Sequence, residues 1–423
     1  MNIRTMSRHA PRRRSALAAA GLACAALAST SATASQLTFQ QALDRARADA
    51  PSLEARRTQV RAERSAADAA DALPDPTLDL SLQNVPVSGP DALSLGADFM
   101  TMETIGISQD FPNPAKRHAR LGRAEADIAA AEAKVAVEAR SVRVATALAW
   151  TDLYFAEERL AILDLLDKSI DALAGTVGAR ITSGSARPSQ GLEPRQLKAE
   201  LADRRSDIEA EIAKAKAELT RWTGDPDPQA VGTPPDWAID PDRLLAAIDA
   251  LPRLQALDAA TAQAEADIRL ARAEKHPDWS VSAGYSRRGP NYADMVSVGV
   301  SIDLPLFAKH RQDPIIAARA EQANSARLER VAAERAARAQ LEADLAEHRA
   351  HHERYMRATN TLVPLAEQRA ELDRASYAAG RIDLGTALDA AIALANAKID
   401  ALDREAMAAR DGIRINLTYG MTS

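Results

Sequence analysis

One stretch occurs twice in this chain and limits what the chain can fold into. The first copy is Gly106-Ile107-Ser108-Gln109-Asp110-Phe111-Pro112, followed by Ala115-Lys116-Arg117; the second is Gly299-Val300-Ser301-Ile302-Asp303-Leu304-Pro305, followed by Ala308-Lys309-His310. Both ends of the match are offset by 193 residues (299 − 106 and 308 − 115), so no gap falls inside it. Each copy alternates polar and apolar residues, the period of a strand with two unlike faces, and stops at a proline. A long Ala/Glu/Arg-rich run with helical spacing follows each time. Few architectures place a strand directly before a very long helix twice over.

The repeat reaches upstream. Pro51 to Pro76 and Pro252 to Pro277 both span 25 residues, at an offset of 201 (252 − 51 and 277 − 76). The change from 201 to 193 makes the loop around Ser88 to Asp98 eight residues longer than its counterpart, and insertions belong in exposed loops. Between these prolines and the repeated motif, Leu78, Leu80 and Leu82 alternate with polar residues, as do Ile105 and Ile107, Val281, Ala283 and Tyr285, and Val296, Val298, Val300 and Ile302. The spacing predicts two β-hairpins, over 77–110 and 278–304.

A two-stranded hairpin is not stable alone, and with aromatic residues at only 4% of the chain little else can cover four apolar faces. Lipid can. Apolar-out, polar-in strands of about 9–11 residues suit a transmembrane β-barrel. Four strands are too few to close one, since the smallest common barrel has about eight, so closure needs several chains. Symmetry favours three, giving twelve strands. The alternative is a pair of half-buried hairpins in a soluble domain.

The helical runs are long. Lys116 to Arg180 contains no proline, and its 65 residues would extend about 95–100 Å. Leu160, Leu163, Leu166, Ile170, Leu173 and Val177 recur at spacings of 3 and 4, a coiled-coil seam. Gly184 to Gly191 breaks the helix, and a return helix carries Leu197, Leu201, Ile208, Ile212, Ala215 and Leu219. The second repeat runs from Ile315 to Tyr377, breaks at Gly380 and returns with Leu388, Ile392, Ala395, Ile399, Leu402 and Ala406. Leu37 to Leu73 also reads as helical, with Pro51 inside it, and its counterpart begins at Leu244. The expected fold is therefore mixed α and β: long antiparallel coiled-coil hairpins forming an α-barrel, plus four β-strands per chain in a shared transmembrane β-barrel. Repeat 1 spans 35–222, a Pro/Gly/Asp-rich linker 223–243, and repeat 2 244–423. Trp237 in the linker reads as a packing anchor.

Residues 1–34 read as an export signal, with Arg4, Arg8 and Arg12 to Arg14 before an apolar stretch and Ala32-Thr33-Ala34 before the cut. Removing them removes five Arg and no acid, which takes the net charge from −6 to −11 and argues against a nucleic-acid partner. The single cysteine, Cys24, lies in this segment and is either removed with it or, in a degenerate lipoprotein site, lipidated. No later apolar run approaches the ~18 residues of a helical span.

With these features assembled, the mature chain resembles the TolC-type outer-membrane efflux family over essentially its whole length. Ile107-Ser108-Gln109-Asp110-Phe111-Pro112-Asn113-Pro114-Ala115-Lys116-Arg117 is similar to the strand-to-helix signature of the heavy-metal branch, the cobalt–zinc–cadmium and copper–silver exporters, where Gly often stands in place of Ala115. The resemblance implies a homotrimer in outer-membrane lipid of a Gram-negative-type cell, with a helical domain in the periplasm. It further implies a passive exit duct working with a periplasmic adaptor (membrane-fusion) protein and an inner-membrane efflux transporter, its cargo heavy-metal cations. Ducts for drugs or polypeptides share the fold, and a soluble periplasmic coiled-coil scaffold or metal-buffering protein is the reading from another class.

No nucleophile elbow, phosphate-binding loop or catalytic triad is present, so no enzyme and no cofactor is expected. His348, His351 and His352, near Asp344 and Glu347, form a metal-ligand pattern in which His348 and His352 share a helix face, but Arg349 among them and Arg354 just beyond suggest a solvated surface. Gly184 and Gly380 mark the tips at which the resemblance places adaptor contact. Asp383 is a candidate either for an acidic constriction in the lumen or for a helix cap. Asp110, Pro112, Asp303 and Pro305 mark the strand–helix junctions, where the two carboxylates either line the lumen or hydrogen-bond the junction backbone.

Overall fold

The computed structural model describes residues 35–420; the expected signal segment and Cys24 lie outside the described residues. The elements in order are β1 (Ser35–Leu37), α1 (Phe39–Asp49), α2 (Pro51–Asp68), β2 (Thr77–Gln83), β3 (Met102–Phe111), α3 (Pro114–Thr182), α4 (Glu193–Thr223), β4 (Pro228–Ala230), α5 (Pro241–Ala246), α6 (Pro252–Ala273), β5 (Trp279–Arg287), β6 (Met295–Ile302), α7 (Gln312–Arg357), α8 (Val363–Ala378) and α9 (Leu384–Tyr419). The helix boundaries follow local chemistry. Pro51, Pro114 and Pro252 sit in first turns, where a missing N–H costs nothing. Thr38 and Gln41 cap α1 reciprocally, and Gly224 ends α4 in the left-handed region at φ 71°.

The helical bundle is held by the two seams read from the sequence. Leu163, Leu166, Ile170 and Val177 of α3 pack with Leu201 of α4, Tyr377 of α8 and Leu384, Leu388 and Ala395 of α9. Small residues such as Ala387 and Ala395 are buried there and let the backbones approach. Nearer the chain start, Leu37, Ala42, Ala149, Trp150, Leu153 and Leu219 form a second cluster.

Two expectations are corrected. Leu37 does not begin a helix: it lies in β1, which pairs in parallel with β4 of the linker, Leu37 opposite Ala230. Its carbonyl accepts from Val231 N (3.0 Å) and from Trp150 Nε1 (2.8 Å). A three-residue strand whose partner lies nearly two hundred residues away leaves no periodic signature. The run from Ile315 to Tyr377 is not one regular helix, because a π-turn at Ala358–Leu362 separates α7 from α8. Pro364 follows it and has no N–H to continue the ladder, so a wider turn absorbs the break. The two copies of the motif also differ: Ala308-Lys309-His310 lies in a turn ahead of α7, whereas Ala115-Lys116-Arg117 lies within α3. Asn113 caps α3 through a bond from Lys116 N, 2.7 Å; the residue before α7, Arg311, makes no side-chain cap.

The four longer strands form one antiparallel sheet in the order β2-β3-β5-β6. Among the described residues no helix is long and apolar enough to cross a membrane.

Candidate functional site

The sheet has two chemically opposite faces. In register across it run Leu78, Ile107, Ala283 and Val298, then Leu80, Ile105, Tyr285 and Val296. These side chains are uncovered: Leu80 is 72% exposed, Val296 76% and Val298 74%. At the end nearest the helices, Phe111 stacks on Trp279 with centroids 4.3 Å apart, opposite Ile302. The other face runs Thr77, Ser108, Ser282, Gly299 and Asp79, Gly106, Gly284, Ser297. Thr104 and Ser286 hydrogen-bond across it at 2.8 Å. The glycines keep this face low, since a Cβ on Gly299 would lie 2.9 Å from Ser282 Oγ.

At the junction with α3 the organising carboxylate is Asp278, which the sequence reading missed. Its Oδ1 accepts from Asn113 N (2.7 Å) and Asn113 Nδ2 (2.8 Å), and its Oδ2 from Lys116 Nζ (2.7 Å). Asn113 Nδ2 also reaches the carbonyls of Ala273 and His276, at 3.3 and 3.2 Å. Burial pulls the Asp278 carboxyl upward, but Lys116 and the Asn113 donors outweigh it and hold the group below the ordinary carboxylate range. The expected junction carboxylates, Asp110 and Asp303, are exposed. The backbone bond at Asp303 is donated by its own N–H to the Asp278 carbonyl, 2.9 Å. Pro112 is buried and Pro305 half-buried at the two strand ends.

The two hairpin turns have the same cap. Gly184 and Gly380 have φ of +74° and +70°. Gly184 N donates to Ile181 O and Ser185 N to Arg180 O; Gly380 N donates to Tyr377 O and Arg381 N to Ser376 O. The turns lie side by side around a cleft of about 770 Å³ lined by Arg180, Gly184, Arg187, Tyr377, Gly380 and Asp383. Arg180 joins them: its guanidinium carbon lies 3.9 Å from the Tyr377 ring centroid and Nη2 donates to the Tyr377 carbonyl at 2.5 Å. Thr176 Oγ1 is 2.8 Å from the Tyr377 hydroxyl.

Asp383 is the N-cap of α9, its Oδ1 accepting from Thr386 N (2.9 Å) and Thr386 Oγ1 (2.7 Å). Those bonds hold its carboxyl below the ordinary range. Glu193, at the start of α4, goes the other way, pushed up by burial and then by the charges of Asp383 and Asp389.

The three histidines are divided and are not a solvated face. His351 Nδ1 lies 2.6 Å from Asp411 Oδ2. Asp344 is buried and turned to Arg414 Nη1 (2.9 Å) and the Tyr419 hydroxyl (3.2 Å), away from any shared imidazole site. His348 and His352 lie half-buried beneath Trp237, whose ring centroid is 5.9 and 5.5 Å from theirs. Burial pushes His348 below the ordinary imidazole range, against the opposing pull of Asp411. Trp237 is a packing anchor in this setting: its backbone lies flat on Gly412, where a Cβ would meet the Trp237 carbonyl at 2.4 Å. Among the described residues no three metal-donor side chains converge.

Residues 246–420 match the model of the outer membrane efflux protein family. Over 298 residues, 69% of each protein, the chain is 27% identical to the nickel and cobalt resistance protein CnrC of Cupriavidus metallidurans. Its fold is similar to that of CusC, with a TM-score of 0.75 at 16% identity over 91% of this chain and 92% of that one. It is also similar to the Campylobacter jejuni CmeC outer membrane channel, with a TM-score of 0.72 at 13% identity over 90% and 85%.

Proposed function

We propose that the chain is a member of the outer membrane efflux protein family, resides in the outer membrane and is the exit duct of a tripartite pump for heavy-metal cations. The observation that carries the reading is the four-stranded sheet with a bare apolar face, joined through Asn113 directly to a 69-residue helix. In one chain that face has no cover. Three chains contribute twelve strands, close a barrel with the Leu/Ile/Val rows toward lipid, and leave the Ser/Thr/Gly rows toward water. The helical hairpins then continue the wall into the periplasm as an α-barrel, and the two halves of the chain, 35–222 and 244–423, contribute equivalent staves.

The duct works by passage and not by chemistry. The turns at Gly184 and Gly380 are the contact for a periplasmic adaptor, which in turn couples to an inner-membrane transporter. Opening requires the tip contacts of Arg180 and Tyr377 to yield when adaptor binding favours the open state. Asp383 presents its second carboxylate oxygen near this entrance, where copies from three chains form an acidic ring suited to cations. The relative that confers nickel and cobalt resistance supports a metal cargo, as does the junction segment 107–117.

The test is membrane fractionation, then unheated gel electrophoresis and metal-sensitivity assays of a deletion strain. A detergent-extracted outer-membrane trimer whose loss sensitises cells to divalent transition metals bears the proposal out. A trimer whose loss changes only drug tolerance overturns the cargo, and a soluble periplasmic monomer overturns the duct.

A further inference from the structure

Between the linker and α7 lies a cavity of about 440 Å³. Trp237, Ile239, Pro241 and Leu345 give it largely apolar walls. Two of the side chains that line it each hold a buried atom without a hydrogen-bond partner, Nδ1 of His348 and Nδ1 of His352. A buried polar atom left unpaired is costly and asks for an explanation. Here there are two of the same kind, one helical turn apart on one face.

The His348 and His352 centroids are 6.1 Å apart with planes 27° from parallel. An imidazole nitrogen about 2.1 Å from an ion puts its ring centroid roughly 3.2 Å away, so one ion is within reach of both rings.

We propose that His348 and His352 form a two-imidazole site for a borderline divalent transition-metal ion, closed over by Trp237 of the linker. Two protein ligands leave coordination positions open, so the ion exchanges instead of being locked in a structural cage. Asp236 on the cavity wall favours a cation and Arg349 opposes one. His351 takes no part, because Asp411 holds its Nδ1. The site sits under the linker that joins the two halves of the chain, so a bound ion pins that linker to α7. The inference does not depend on what the duct carries.

The experiment uses the full-length protein without an affinity tag, purified in detergent and stripped with chelator. Equilibrium dialysis against Ni²⁺, Co²⁺ or Zn²⁺ is compared with Mg²⁺, and tryptophan emission is followed with Ni²⁺. The expected result is one saturable transition-metal ion per chain, no saturable Mg²⁺, and quenching that Trp237→Phe removes while binding persists. His348→Gln or His352→Gln, which keep a polar side chain of similar size, should each weaken binding roughly tenfold or more, and His351→Gln should not. Oligomer retention on an unheated gel confirms that the variants fold. Wild-type protein with no saturable transition-metal binding overturns the proposal, as does unchanged binding in the His348→Gln/His352→Gln double variant.

Discussion

The carboxylate of Asp278 meets Asn113 twice, 2.7 Å from its backbone nitrogen and 2.8 Å from its side-chain amide. Asn113 is the cap of α3, and Asp278 immediately precedes β5. One carboxylate therefore fastens the start of the longest helix to a strand from the other hairpin. The sheet and the helical bundle meet through it.

Removing that carboxylate has a defined cost. Asp278→Ala leaves the Asn113 backbone N–H without its acceptor and Lys116 without its counter-ion. Loss of hydrogen bonds to a charged group predicts about 1.5–3 kcal/mol of destabilisation, read as a lower melting temperature of the detergent-solubilised protein. The pH dependence has a fixed sign. A carboxyl whose folded pKa is depressed contributes stability above its unfolded value, about 3.9, and loses it as pH falls through the lower folded value. Asp278→Asn should flatten the acid limb of the stability curve in that window.

The two sheet faces respond oppositely to charge. Val298→Arg places a cation on the bare apolar face and costs roughly 2–4 kcal/mol if that position is at mid-bilayer, enough to prevent assembly. Ser297→Arg, one residue away on the opposite face, should still yield heat-modifiable trimers. Unheated gels of membrane fractions separate the two outcomes.

Arg180 bridges the two turns, and Arg180→Ala removes both the stacking on Tyr377 and the bond to its carbonyl. A ring–cation contact of this kind contributes about 0.5–2 kcal/mol. The expected outcome is a looser tip, measured as higher single-channel conductance in planar bilayers with trimer stability unchanged.

Gly412 has no room for a side chain, because Trp237 O and Cβ lie 2.4 and 2.9 Å from where its Cβ would be. Gly412→Ala must push the linker off α9, at a cost of about 1–3 kcal/mol for overpacking. Limited proteolysis should then cut within 224–240, where the wild type resists.

Glu405 is held above the ordinary carboxylate range by burial and, second, by the charge of Glu158. A raised folded pKa means that ionisation opposes folding, so the penalty is present at neutral pH and absent below the unfolded value. Glu405→Gln should raise the melting temperature near pH 7 and leave it unchanged at pH 3.5, about half a unit or more below that value.

Much of the architecture follows from period alone. Strict alternation at Leu78, Leu80 and Leu82 and at Val296, Val298 and Val300 admits only strands, and the 3-4 spacing of Leu163, Leu166, Ile170 and Val177 admits only a helix with one buried stripe. Both signals are local, because a residue's face depends only on its near neighbours. The glycines at 184 and 380 are legible for the same reason: a helix that ends in the left-handed region needs a residue without a Cβ. What needed the tertiary structure were the partners. The pairing of Leu37 with Ala230, the grip of Asp278 on Asn113, and the cover that Trp237 lays over His348 and His352 join residues far apart in sequence, through single contacts that leave no period behind. The expectation that the Asp110 and Asp303 carboxylates hydrogen-bond the junction backbone assumed that equivalent positions in a repeat do equivalent work. Packing is decided in three dimensions, and there one unrepeated aspartate does the fastening.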